Sequence, residues 1–304
     1  MTDSARRVDL PTAAALIRAD FPELAHLGVT LLGEGTDHLA FDVGGEYVFR
    51  FPKRAGAATA LLTEARLTAW LAPRLPLALP VDGVVRPPRP DAGVTYAGYA
   101  RLAGTPALLL ETGPTGFAVI GHDLGTFLRR LHDLPAGEAR ALGVEEDDDP
   151  RLEEWSRDAS RDLALAVDGG EVSPEVGRRW RDVFAHPPPT GHVAGCLIHG
   201  DLAAEHVLLD EGGNVTGVID WSDAALGDPA RDLSGLLHWG GDALLHAALG
   251  AYGPVDGPTL ERARWFAACR AVADLTFGRE SGQGAYVRAG QRALTRLSQP
   301  PASR

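Results

Sequence analysis

The chain has 304 residues, 45% of them apolar, and a net charge of −12. That length supports a sizeable core and two lobes, and the charge excludes a protein built to coat nucleic acid, which depends on Lys and Arg neutralising phosphates. Cys196 and Cys269 are too few for a disulfide framework and lack metal-site spacing, so a reducing cytoplasm is the expected setting. No apolar run approaches the ~20 residues that span a bilayer, and the N-terminal segment lacks the apolar core of a signal peptide, so neither membrane insertion nor secretion is expected.

Residues 11–20 read as a helix, with Ala14, Leu16 and Ile17 on a partial apolar face before Phe21 and Pro22 interrupt it. The period then changes to that of strands at 29–32, 39–43 and 47–51, joined by GEGTDH at 33–38 and by Gly44 and Gly45, which predicts a small antiparallel sheet. Gly33 and Gly35 are either ordinary turn residues or a place where backbone approaches a phosphate closely. Arg50 lies between Phe49 and Phe51 and faces the opposite side of the strand, so it needs a partner. Residues 57–71 read as a helix with Glu64 near its middle, in reach of Arg50 across a sheet–helix interface; a solvated helix glutamate is the alternative. The proline-rich stretch 73–90 is a loop leading to an edge strand. Residues 94–102 read as a strand, after which the lobes divide.

The second part is helical at 117–132, 152–166 and 174–184, with EEDDD at 145–149 as a solvated charge run. The stretch 196–232 carries most of the chemistry. An apolar run at 196–198 delivers His199, Gly200 and Asp201, and a turn leads to His206. Two strands, 207–209 and 215–219, flank a turn with two glycines, and the second ends on Asp220. Because these strands pair side by side, the residue entering the first and the residue leaving the second meet at one end. Asp201, His206 and Asp220 are therefore candidates for a single site. Asp228 is placed to cap a helix at 229–239, and helices follow at 243–252, 259–278 and 285–297. His122, His132 and His192 belong to no constellation.

HGD at 199–201, His206 five residues after Asp201, VIDW at 218–221 and GDPARDL at 227–233 together resemble the aminoglycoside phosphotransferase family, whose members look like protein kinases in fold. CLIHGD, EHVLLD and FGRE (277–280) look nearest the 2″-aminoglycoside kinases, whereas HVLLD, IDWSDA and HWGGDALL are similar to macrolide 2′-phosphotransferases. The resemblance implies an α+β fold with a small antiparallel-sheet lobe at 1–102 and a larger helical lobe at 103–304. It implies transfer of the γ-phosphate of ATP or GTP to a small-molecule hydroxyl, most readily an aminoglycoside's, with a macrolide or a metabolite alcohol as alternatives.

Asp201 matches the catalytic-loop aspartate that accepts or orients the hydroxyl proton, and Asp220 the aspartate that binds Mg²⁺. His206 stands where kinases place an Asn metal ligand, a departure that suits these antibiotic branches but gives Mg²⁺ an imidazole in place of a hard oxygen. Arg50 falls where kinases keep a phosphate-binding lysine, with Glu64 as its partner and Lys53 as a substitute cation. Gly33 and Gly35 fall in the loop over the phosphates, and Tyr99, Ala100 and Leu102 in the hinge that reads the purine. His199 and Asp232 are expected to brace the catalytic loop. Glu205, Asp223, Asp242 and Glu280 are the carboxylates available to a cationic acceptor, and Trp239 suits an apolar one. The implied partners are nucleotide and acceptor alone, with a monomer as the default.

Overall fold

The computed structural model describes residues 8–35, 37–81, 84–86, 94–111, 113–147, 152–188 and 195–299. His192 and the last two residues of the 145–149 charge run lie outside these. The chain forms two compact units, Met1–Arg74 with Ala78–Ala103, and Leu75–Leu77 with Gly104–Arg304. Among the described residues no helix is long and apolar enough to cross a membrane.

In the first unit, α1 (Leu10–Asp20) starts where the Asp9 carboxylate accepts the Thr12 amide at 2.9 Å, with Pro11 in its first turn. The strands β1 (Val29–Glu34), β2 (His38–Val43) and β3 (Tyr47–Pro52) follow, then α2 (Ala55–Leu71), β4 (Val84–Arg86) and β5 (Tyr96–Ala100). They form one antiparallel sheet in the order β1-β2-β3-β5-β4. Period-two alternation on β3 turns Phe49 and Phe51 to one face, where they pack with Phe41, Tyr96 and Ile17 of α1. Phe51 stacks on Tyr96 at 4.6 Å. The same alternation sends Arg50 to the opposite face, toward α2. The strand expected at 94–102 is shorter than its apolar pattern, and β4 forms within the proline-rich stretch read as loop.

The second unit opens with β6 (Thr105–Pro106) and the helices α3 (Pro114–His132), α4 (Ala136–Ala141), α5 (Glu153–Gly169) and α6 (Pro174–Ala185). Next come β7 (Cys196–Ile198), β8 (Val207–Leu209), β9 (Val215–Val218) and β10 (Ala225–Gly227). The hairpin of β8 and β9 forms as its turn chemistry predicts, and β6 adds to its edge. β7 pairs instead with β10, thirty residues on. α4, β6 and β10 escaped the sequence reading because two to six residues are too few to show a period.

The helices α7 (Ala230–Tyr252), α8 (Gly257–Glu280) and α9 (Gly284–Leu297) complete the unit. α7 joins the two helices expected at 229–239 and 243–252. Gly241 breaks it, with φ 63° and ψ −153°, and the Arg296 guanidinium caps the Trp239 carbonyl freed by that break.

Candidate active site

In the first unit the Arg50 guanidinium donates to both carboxylate oxygens of Glu64, at 2.6 and 2.8 Å. Both side chains are buried, so the charge in the apolar strand has the partner it requires. A second neighbour went unread in the sequence: His38, whose Nδ1 lies 3.2 Å from Arg50 Nη2. Lys53 is engaged elsewhere, bridging Glu34 at 2.9 Å and donating to the Gly35 carbonyl at 3.0 Å. Tyr99 lines a cavity of about 170 Å³ together with Arg50, Glu64, Ala97 and the α2 residues Leu61 and Thr68. Ala100 is exposed and Leu102 half-buried at the end of the same segment.

Gly33 and Gly35 are informative for what does not constrain them. Neither has a positive φ, and a Cβ built on Gly33 meets nothing within 4 Å. The fold of this unit does not require glycine at position 33, so the open space over the backbone is available to something outside the chain.

Removing Glu64 is expected to leave Arg50 buried without its carboxylate. Glu64→Ala should lower stability by about 3 kcal/mol. Arg50→Met combined with Glu64→Leu should recover most of that loss, because apolar residues of similar volume replace buried ion pairs at little cost. Urea unfolding of the two variants checks both, and a double variant no more stable than Glu64→Ala refutes the pairing argument.

In the second unit the loop at residues 199–201 is held by a buried carboxylate. Asp232, on α7, accepts the His199 amide on Oδ2 at 2.9 Å and the Gly200 amide on Oδ1 at 3.0 Å, and His132 Nε2 of α3 lies 3.0 Å from the same Oδ2. Burial works to raise the Asp232 pKa, but the bond with His132 and the loop amides outweigh it and hold the carboxyl below its usual range. The buried His199 ring spans the loop, with Nε2 3.0 Å from the Ile219 carbonyl and Nδ1 accepting the Asp201 amide at 3.3 Å. Burial lowers its pKa, which keeps it neutral. Gly200 has φ +82° and a Cβ there would lie 2.0 Å from the Asp223 carbonyl oxygen, so the loop passes that strand end only as glycine.

This bracing presents Asp201, His206 and Asp220 together. His206 Nδ1 lies 2.8 Å from the Asp201 carbonyl and 3.5 Å from its carboxylate, while Nε2 is 3.7 Å from the Asp220 carboxylate. The Ile219 amide donates to the His206 carbonyl at 2.9 Å, which is the hairpin closure that brings the two ends level. Asp220 has φ 61°, an unusual conformation for a residue with a side chain, and its carboxylate accepts from Ser222 at 2.8 Å. Burial opposes charging of His206, but Asp201, Glu205 and Asp220 overcome it and raise its pKa.

The residue that the sequence reading missed is Arg270, on α8. Its guanidinium donates to Asp201 and, at 2.7 Å, to Glu205. Burial pushes both carboxyls up, and Arg270 followed by His206 pulls both below their usual range. Asp201 is therefore ionised as it stands. A signal for Arg270 existed: Arg270 and Asp274 sit four residues apart in WFAACRAVADLTF, two charges on an otherwise apolar helix.

The remaining expected substrate residues separate. Asp223 stands beside the loop, and burial, then Asp201 and Asp220, raise its pKa. Asp242 pairs with Arg264 and lines a different cavity with Leu245 and Leu260. Glu280 lies ten residues beyond Arg270 on α8, ~15 Å along the axis. Trp239 packs edge-on against Phe117 with ring centres 6.2 Å apart, whereas Trp265 is buried and donates to the Val183 carbonyl.

Among the described residues no group of three or more His, Cys, Asp or Glu is arranged to hold a metal. Mg²⁺ does not need one, because it takes one or two carboxylates and completes its shell with water and nucleotide phosphates. The partly exposed Asp220 carboxylate fits that role. His206 fits it poorly, since its Nδ1 is committed to the Asp201 carbonyl and the surrounding carboxylates favour its charged form.

A model of the phosphotransferase enzyme family matches residues 28–266. The chain belongs to this family. Among curated relatives, this family member is 27% identical over 201 residues to an uncharacterized protein, YcbJ, of Bacillus subtilis, covering 63% of this chain and 62% of that one. It is 36% identical over 101 residues to viomycin phosphotransferase of Streptomyces vinaceus, covering 32% and 33%. The matched stretches thus span less than two thirds of either relative. Among solved structures it is similar to the GDP and kanamycin complex of APH(2")-IIia, with a TM-score of 0.69, 25% identity, and coverage of 94% of this chain and 97% of that one. It is also similar to a type I macrolide 2′-phosphotransferase, with a TM-score of 0.61, 25% identity, and coverage of 97% and 99%. The fold is accordingly α+β and protein-kinase-like, with an antiparallel-sheet lobe and a helical lobe.

Proposed function

We propose that this chain transfers the γ-phosphate of ATP or GTP to a hydroxyl of a small molecule, with Asp201 accepting the hydroxyl's hydrogen bond. The observation that carries this reading is the meeting of Asp201 and Asp220 at opposite nitrogens of one imidazole, 3.5 and 3.7 Å away. Phosphoryl transfer passes through a loose transition state that asks for positioning and charge neutralisation more than for a strong base. An aspartate held ionised by Arg270 is a weak base but a well-placed acceptor, and that suits such a reaction.

In the same reading, Asp220 holds Mg²⁺, which when bound offsets the charge of the nucleotide phosphates. Arg50, kept in place by Glu64, receives a phosphate, and the backbone at Gly33 and Gly35 approaches the others. Tyr99, Ala100 and Leu102 face the base. Two free cysteines and a nucleoside triphosphate donor fit a reducing cytoplasm.

For the acceptor, the relatives' names point to antibiotics, and an aminoglycoside is the first class that the motifs suggest. A second reading is favoured by the arginines. Glu205 is tied to Arg270 and Asp242 to Arg264, so two of the four carboxylates expected to receive a polycation are already neutralised. A nucleotide-consumption screen tests the function: ATP and GTP, each with kanamycin, a macrolide, viomycin and a panel of hydroxy acids. Acceptor-dependent release of ADP or GDP from at least one pair is expected. Release that is independent of every acceptor, or none at all, would remove the kinase reading.

A further inference from the structure

A cavity of about 370 Å³ opens beside the catalytic loop in the second unit. Ala204, three residues after Asp201, forms part of its wall, and the Ala204 carbonyl is fixed by the Leu108 amide at 3.0 Å. Phe117 of α3 and Trp239 of α7 make an edge-to-face aromatic corner. Arg292 and Arg296 enter from α9, four residues apart on one helix face, and Glu111 is the one carboxylate among the described lining residues. Among the described residues neither arginine is ion-paired. Arg296 spends one nitrogen on the Trp239 carbonyl, and Arg292 is exposed at the mouth. Burial first, and then the neighbouring Arg292, lower the Arg296 pKa.

The His238 ring lines the same wall although only 2% exposed, and its Nε2 lies 3.0 Å from Asp274, one helical turn from Arg270 on α8. Both ring nitrogens are buried, so His238 offers the cavity ring surface and no donor. Two like charges four residues apart beside an aromatic corner repel one another. That cost falls with an occupant that presents an oxyanion to the arginines and an apolar or ring portion to Trp239 and Phe117.

We propose that this cavity is the acceptor subsite, and that it takes a hydroxyl compound bearing a carboxylate or phosphate on an apolar or aromatic body. The assignment rests on the phosphotransfer reading for its purpose but not for its test. Arg270 extends the same logic to the catalytic loop: it neutralises the carboxylates that would otherwise receive a cation, and the arginines of α9 add positive charge beyond it. The acceptor enters with its anionic end toward α9 and its other end toward Ala204, three residues from Asp201 in the chain.

The experiment is a binding comparison on the full chain without nucleotide, read by ligand-observed NMR or calorimetry. The probes share one ring and one hydroxyl and differ in charge: 4-hydroxyphenylacetate, its neutral amide, and tyramine. The carboxylate is expected to bind about tenfold more tightly than the amide, with tyramine weakest. Arg292→Gln, an exposed substitution that leaves the fold intact, should abolish the difference between carboxylate and amide. Equal or tighter binding of tyramine, a carboxylate preference that survives Arg292→Gln, or no binding of any of the three at millimolar concentration overturns it. Because no turnover is read, a failed screen for phosphate transfer and a failed carboxylate preference remain separate results.

Discussion

Asp201→Asn is expected to lower kcat about 10²–10⁴-fold, the range that a positioned proton acceptor contributes, with nucleotide affinity unchanged within about twofold. The substitution keeps the size of the side chain and an oxygen for Arg270, and the amide of residue 201 still donates to His199. The loop, anchored by Asp232 through the amides of His199 and Gly200, has no reason to move. What is lost is the anionic acceptor for the hydroxyl. Steady-state kinetics with the acceptor identified by screening, together with calorimetric titration of the nucleotide, separates the two quantities. An unchanged kcat would eliminate Asp201 as the acceptor, and a collapse of nucleotide affinity would show a structural role instead.

Arg270→Leu is expected to destabilise the protein by about 3 kcal/mol. Glu205 and Arg270 are largely enclosed, at 10% and 18% side-chain exposure, so removing the guanidinium strands Glu205 as a buried charge. Asp201, at 32%, is partly screened by water and adds little to the loss. Combining Arg270→Leu with Glu205→Gln should restore much of the stability but not the turnover, because Asp201 then has no partner holding its position. Arg270→Lys should fall between, since an ammonium offers a point charge where the guanidinium forks between two carboxylates. Chemical denaturation of the four proteins reads the first effect. The second is a fall in kcat in the doubly substituted protein whose fold is recovered. Full stability in Arg270→Leu would mean that the fork is not the support described.

The parts of the site legible in the sequence are those made by neighbours in the chain. The hairpin of β8 and β9 is written in a polar turn between two apolar runs, and its closure alone levels His206 with Asp220. Arg50 announced its need for Glu64 because a charge in an apolar strand is expensive wherever the strand packs. The long helices showed their period, and the reading of two helices at 229–239 and 243–252 brackets the break at Gly241 in α7.

Other features depend on distant segments that carry no local sign of their meeting. β7 pairs with β10 across thirty residues, and Asp232 reaches back more than thirty to hold the loop amides. Arg270 arrives at Asp201 from 69 residues away. The spread of Asp223, Asp242 and Glu280 over separate places is likewise a property of helix packing, since sequence spacing says nothing about which face of a helix meets which loop.

The sequence by itself determined the chemistry available: two aspartates and a histidine at one hairpin mouth, an ion pair behind a glycine loop, and the α+β order of elements. These follow from backbone hydrogen bonds between near neighbours and from the cost of burying charge, both of which act within a short stretch of chain. Only the tertiary structure decided which cation stands beside Asp201. Charge acts through space over a few ångströms, and Arg270 of α8 comes within that range of Asp201 only after the helices have packed.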